Sequence, residues 1–344
     1  MKKSMLAGIA SVLIVFALNL TLKSDTDASF LVVLLVFNAF AQGIIALAAA
    51  AQISEGNWLS PIGNKLLSMW WLQLLTPFLF VAHAMNLAPY PWTEHPPNAW
   101  MTEGLFVARN VGVLLLTAGL AWLLRRSTLK KSSNTTRIAI FYALAFVLSQ
   151  TLVAMDWLMS FEYPWLSTMF APLQFVEALF LSTGLAAVIA SVFVQKGDKR
   201  FLPTQVDAAT LFLGFSLFWG GLFYAQFLTI WYGNIPEEVA PLARRAMVSP
   251  MRELGILSIV TMFPIPFIGL IPATPKRTPA AVRLFFALAV FGFVLQKIVI
   301  LMPVATLNPI ILIVSGLALT TTLVLAVGDA LAVESPMPNP QEHH

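Results

Sequence analysis

Ten long apolar runs, nearly free of charge, occupy most of this 344-residue chain. They lie at about 5–22, 29–51, 66–87, 104–124, 137–158, 167–194, 207–231, 252–272, 279–303 and 307–332. About 20 apolar residues suffice for a helix to cross a bilayer, and each run meets or approaches that length. The runs are continuous rather than alternating, so they predict helices and not barrel strands. Glycine and proline inside several of them are tolerated in membrane helices. Only 10% of the residues are charged, under half of the roughly 25% usual in soluble domains. The expected fold is an all-α polytopic membrane protein of about ten transmembrane helices. Residues 1–333 form a single transmembrane domain in this reading. Residues 334–344 form a short, disordered, proline-containing tail.

Charge sets the expected orientation. With the N-terminus inside, the inner segments carry fourteen of the twenty Lys and Arg residues, among them Lys65, Arg125, Arg126, Lys130 and Lys131. The outer side carries Lys23, Arg244, Arg245 and Arg252. This positive-inside bias predicts cytoplasmic N- and C-termini. The Met-Lys-Lys start resembles a signal peptide, but no small-x-small cleavage site precedes Lys23, so the first helix is read as retained. The net charge of +4 reflects the inner loops and points to no nucleic-acid partner.

The composition also excludes chemistry. There is no cysteine, so the chain ligates no cysteine-bound iron–sulfur cluster and attaches no c-type haem. Of four histidines, only His83 lies in an apolar run, too few for a bis-histidine haem. No phosphate-binding loop, zinc helix or nucleophile triad is present. No catalytic residue and no metal site is expected, and any redox cofactor is a diffusing quinone or belongs to partner subunits.

Three outer connections are rich in Trp, Tyr and Pro: Asn86–Trp100, Asp156–Thr168 and Trp231–Glu238, the last continuing to Arg244 and Arg245. An aromatic belt at the headgroup level explains most such residues. The alternative is an ordered docking surface, for which Trp157, Trp165, Tyr224, Gln226, Trp231, Tyr232, Asn234, Pro236, Glu237, Glu238, Arg244 and Arg245 are candidates.

An ionisable group at bilayer depth marks a functional hypothesis. Here these are His83, Arg109, Asp156, Glu177 and Lys297, with Glu253 near an outer helix end. Gln42, Gln73, Asn110, Gln150, Gln174 and Gln226 are supporting polar groups. One reading pairs Arg109 or Lys297 with Asp156 or Glu253 to hold helices together. The other is an outward-opening proton path or quinone headgroup site. Glu177, near the midplane with no basic neighbour in its own helix, is the leading proton relay, since burial favours its protonated form. Gln174 shares its helix face, and Gln150 is expected to complete a polar seam with both. His83 reads more simply as a hydrogen bonder between helices.

Two stretches carry a family resemblance. Met155-Asp-Trp-Leu-Met-Ser160 with Trp165-Leu-Ser-Thr168, and Phe223-Tyr-Ala-Gln-Phe-Leu-Thr-Ile-Trp-Tyr-Gly-Asn-Ile-Pro-Glu-Glu238, resemble the ActF-type membrane subunit of bacterial alternative complex III. That complex is a quinol:cytochrome c oxidoreductase, and the subunit belongs with the NrfD/polysulfide-reductase membrane anchors. The motifs cover about thirty residues. The resemblance implies two four-helix bundles plus two extra helices. It implies a non-catalytic subunit of the respiratory chain, with a proton path and a contribution to quinone binding. The implied partners are a paralogous NrfD-like membrane subunit, iron–sulfur and c-haem subunits on the periplasmic face, lipid and the quinone pool. Within the motifs it draws attention to Asp156, Tyr224, Gln226, Asn234, Glu237 and Glu238. The sequence departs from the family at Glu162-Tyr163-Pro164-Trp165, where an acidic residue, Pro, His and Trp are usual, and the chain is short for the family.

Two other readings remain. Ten helices suit a secondary transporter, although Pro264, Pro266, Pro272 and Pro275 cluster without a counterpart in the first half. A purely structural scaffold for a redox complex differs from the leading reading only in whether Glu177 and its neighbours move protons.

Overall fold

Apolar spans must satisfy their backbone groups internally, and helices do so residue by residue. The computed structural model describes residues 2–22 and 24–334. Lys23 and the expected tail from residue 335 onward lie outside the described residues. Among these, ten helices are long and apolar enough to cross a membrane: α1 (Lys3–Leu22), α2 (Ser29–Ile53), α3 (Asn57–Ala84), α4 (Glu103–Leu129), α5 (Thr135–Glu162), α6 (Phe170–Gln195), α7 (Lys199–Gly233), α9 (Met251–Leu270), α10 (Pro279–Leu301) and α11 (Pro309–Leu331). A shorter helix, α8 (Pro236–Met247), connects α7 and α9. No strand occurs among the described residues. The chain is an all-α polytopic membrane protein.

The helices pack as two four-membered rings. Helices α2, α3, α4 and α5 form the first; α6, α7, α9 and α10 form the second. Helix α1 lies along α11, and this pair flanks the first ring through α3 and α2. Helix α2 is apolar almost all round, the pattern of a fully enclosed helix, and is buried over most of its length. It joins the rings by packing on α6. At the crossing, a Cβ on Gly43 would stand 2.3 Å from the Ala178 carbonyl oxygen and 2.4 Å from Ser182 Oγ. Only glycine permits this approach.

Local chemistry explains the irregular points. The third helix begins at Asn57, not near residue 66 as the hydropathy suggests, because Pro61 fits a first helical turn. Lys65, expected in an inner loop, therefore lies inside α3 and is only 4% exposed. Its Nζ donates to the carbonyls of Leu331, at 3.3 Å, and Val333. Those carbonyls close α11, where a helix end leaves acceptors free and favours a cation. Ser4 of α1 donates to Asp329 of α11 at 2.5 Å, so the start of α1 and the end of α11 lie at the same end of the bundle.

At the opposite end, α5 widens into a π-helical turn over Val153–Leu158, a feature that re-aims side chains. Helix α7 stops where Asn234 adopts the left-handed conformation, φ 46°. Pro236 then opens α8, with Glu237 and Glu238 in its first turn and Arg244 and Arg245 in its last. Asn tolerates positive φ, proline suits the first helical position, and these charges complement the helix dipole. The end of the second motif, from Asn234 to Glu238, is thus punctuation between two helices, while Phe223 to Gly233 lie within α7.

Candidate functional site

The second ring holds a buried ion pair. Lys297 Nζ of α10 lies 2.6 Å from Glu177 Oε2 of α6, and both side chains are 1% exposed. Lys297 also donates to Gln174 Oε1 at 3.1 Å, one helical turn along α6. The other carboxylate oxygen, Glu177 Oε1, accepts from Trp219 Nε1 of α7 at 3.0 Å and from Gln296 Nε2 of α10 at 2.6 Å. Three helices therefore converge on one carboxylate. One reading of the sequence pairs Arg109 or Lys297 with Asp156 or Glu253; packing α10 against α6 gives Lys297 to Glu177 instead, so the carboxylate without a basic neighbour in its own helix takes its cation from another. Glu253 instead stands exposed at the start of α9, paired with its neighbour Arg252 at 2.6 Å.

A largely apolar cavity of about 520 Å³ adjoins the pair. Trp219 and Gln296 form its wall beside Glu177, with Phe223, Leu173, Ile259 and Val299 around them. Trp165, Gln226, Pro241, Leu242 and Arg245 line it towards α8, and Phe227 and Ile256, both exposed on spanning helices, stand at its edge. Cavities of roughly this size hold small ligands, and a few polar groups in an apolar wall fix their orientation. Glu162 secures the α8 side, where it meets both Arg244 and, at 2.8 Å, Arg245. Burial draws the Arg245 guanidinium pKa below its usual value, and the facing Glu162 carboxylate opposes that shift. Arg244 and Arg245, candidates for docking a partner, thus serve an intramolecular clamp.

A second polar cluster lies in the first ring. Arg109 of α4 holds Asp156 of the π turn with two parallel bonds, Nε to Oδ2 at 2.7 Å and Nη2 to Oδ1 at 2.9 Å. It also donates to the Trp100 carbonyl and lies over the Trp100 ring at 4.6 Å. Asn110 Nδ2 donates to Asp156 Oδ2 at 2.6 Å, while its oxygen accepts from Trp157 Nε1 at 2.8 Å. Trp157 was expected on a docking surface, but the π turn directs it inward, where it stacks on Phe80 with centroids 5.1 Å apart. His83 Nε2 meets the Tyr90 hydroxyl at 2.9 Å, and that hydroxyl lies 3.3 Å from the Trp157 carbonyl. Burial, reinforced by the Asp156 charge, pushes the Tyr90 pKa well above its usual value, so the phenol stays a donor.

The expected seam of Gln150, Gln174 and Glu177 is divided. Gln150 Nε2 donates to Gln42 Oε1 at 3.0 Å, and Gln42 in turn donates to Asn38 and Ser149, both at 2.9 Å. Gln73 joins this group through Tyr142 at 2.7 Å. Gln174 and Glu177 belong to the Lys297 network instead. The helix crossing of α2 with α5 captures Gln150 before it can reach α6.

The remaining candidates spread over the α7–α8 corner. Tyr224, Trp231 and Tyr232 are exposed, Tyr232 by 83%. Gln226 donates to Ser167 at 3.3 Å. Trp219, Gln296, Tyr90 and Glu162 complete these sites but were not singled out as site residues. Two had a readable signal: Gln296 directly precedes a buried lysine, and Trp219 sits deep within a span, far from an interfacial belt. The chain matches no protein-family model and no curated protein.

Proposed function

We propose that this chain is an integral membrane subunit of a quinol:cytochrome c oxidoreductase of the alternative complex III type. It supports electron transport in a bacterial inner membrane and leaves the electron-transfer chemistry to cofactors of its partners. The supporting observation is the Glu177–Lys297 pair, whose carboxylate is held by two residues of an apolar cavity wall. Such a cavity suits a lipid-soluble ring, and a quinol gives up protons when it is oxidised. Within the pair, Lys297 has no lone pair to offer while charged. Glu177 is the group able to take a proton. Doing so leaves the Lys297 ammonium without its countercharge, which drives the proton onward. The motif resemblance over 155–168 and 223–238 supplies the class of complex.

The test uses the complex purified with this subunit in place. Glu177→Gln combined with Lys297→Met removes the proton site and the charge that depends on it. The expected result is slower quinol-dependent cytochrome c reduction, because a quinol must shed one proton for each electron it gives up. Unchanged turnover would reduce the chain to a scaffold.

A further inference from the structure

We propose that the cavity selects a lipid-phase ligand through a hydroxyl group, and that Gln296 is the residue that reads it. The inference rests on the reading of this cavity as a quinol site, and it names the feature that separates quinol from quinone there.

The orientation of the Gln296 amide is fixed by chemistry. Its partner Glu177 is a carboxylate bound to Lys297 and accepts hydrogen bonds only. The amide nitrogen must therefore face Glu177, at 2.6 Å, and Oε1 is the free end. That oxygen is buried and has no hydrogen-bond partner among the described residues, and Gln296 lines the cavity. A buried acceptor without a donor is costly, and a native site commonly satisfies it with a ligand or an ordered water. The nearby donors are committed elsewhere. Trp219 gives its N–H to Glu177 at 3.0 Å, and Ser258 gives its hydroxyl to the Gly292 carbonyl at 2.8 Å. The other walls beside Gln296, such as Phe223 and Val299, are apolar.

The wall by the ion pair thus offers one acceptor among rings and aliphatic groups. A ligand hydroxyl donates to it. A carbonyl at the same place would set two acceptors against each other, so the site disfavours the oxidised form. Two further buried groups on the cavity wall, Trp165 Nε1 and Arg245 Nε, are donors without partners, and they suit an oxygen elsewhere on the same ligand. A hydroxyl bound to Gln296 polarises the amide whose other end holds Glu177. Occupancy is thereby coupled to the ion pair without Gln296 exchanging a proton itself. Gln296 is a positioning and selecting residue.

The experiment uses the full chain in lipid nanodiscs, with empty discs of the same lipid to subtract partitioning. A long-chain para-alkylphenol and its methyl ether are compared by equilibrium dialysis. The phenol is expected to bind about tenfold more tightly, the worth of one hydrogen bond. Gln296→Met should level the two, and Ile256→Trp at the cavity edge should weaken both. Equal binding of phenol and ether to the unaltered chain would overturn the proposal, showing that water alone satisfies Gln296. So would a phenol preference that survives in Gln296→Met. A matched quinol and quinone pair then separates the two readings. Preference for the phenol without preference for the quinol would uphold hydroxyl selection and sink the quinol assignment.

Discussion

The Glu177–Lys297 and Arg109–Asp156 pairs each join opposite charges from different helices, and the effect of each depends on both members being present. Removing one partner of a buried pair strands the other, at a cost of about 3–5 kcal/mol, whereas removing both is far milder. Lys297→Met should therefore lower the thermal unfolding temperature of the purified chain more than Lys297→Met with Glu177→Gln. A double variant less stable than either single variant would contradict that account. The same logic governs Arg109 and Asp156, where the bidentate geometry adds orientation to charge. The sequence marked all four of these residues by their type and depth. It did not reveal who pairs with whom, because pairing depends on which helices adjoin. Glu177 looked solitary since its cation lies 120 positions away. Gln296 was hidden for the same reason: its amide gains meaning only from the carboxylate opposite and the cavity behind.

Helices and their connections were more legible than their contacts. Eight of the ten spans start within a few residues of the hydropathy runs, while α3 and α7 begin earlier because their first turns, around Pro61 and Lys65 and around Arg200 and Pro203, carry too little apolar character to register. The π turn in α5 leaves no periodicity signature, so the inward aim of Trp157 could not be read. Gly43 was likewise silent, although it sets the distance between the two rings. Gly43→Val should destabilise the fold by about 1–3 kcal/mol or more through overpacking. Gly119→Val on α4, where an added Cβ meets nothing within 4 Å, serves as the matched control. Comparison of thermal unfolding in the same detergent checks the difference, and equal effects at the two glycines would contradict the close approach of α2 and α6.

For the molecule as a whole, the two rings share one continuous apolar core that draws on all ten spans, and both polar clusters sit within them. The charge asymmetry of the sequence predicts the sidedness, and the chain's lack of cysteine makes that prediction directly testable. In intact cells, Asn98→Cys in the connection before α4 should react with a membrane-impermeant maleimide. Ser133→Cys, between α4 and α5, should react only after the membrane is opened. The reverse pattern would invert the orientation and place the Glu162 clamp on the cytoplasmic face. The most direct test of membership in a quinol-oxidising complex is purification of the tagged chain from its native membrane in mild detergent, with a haem spectrum and an assay of quinol-dependent cytochrome c reduction. The account predicts co-purified c-type haem, an iron–sulfur subunit and that activity. A colourless chain that purifies alone and stable would contradict it.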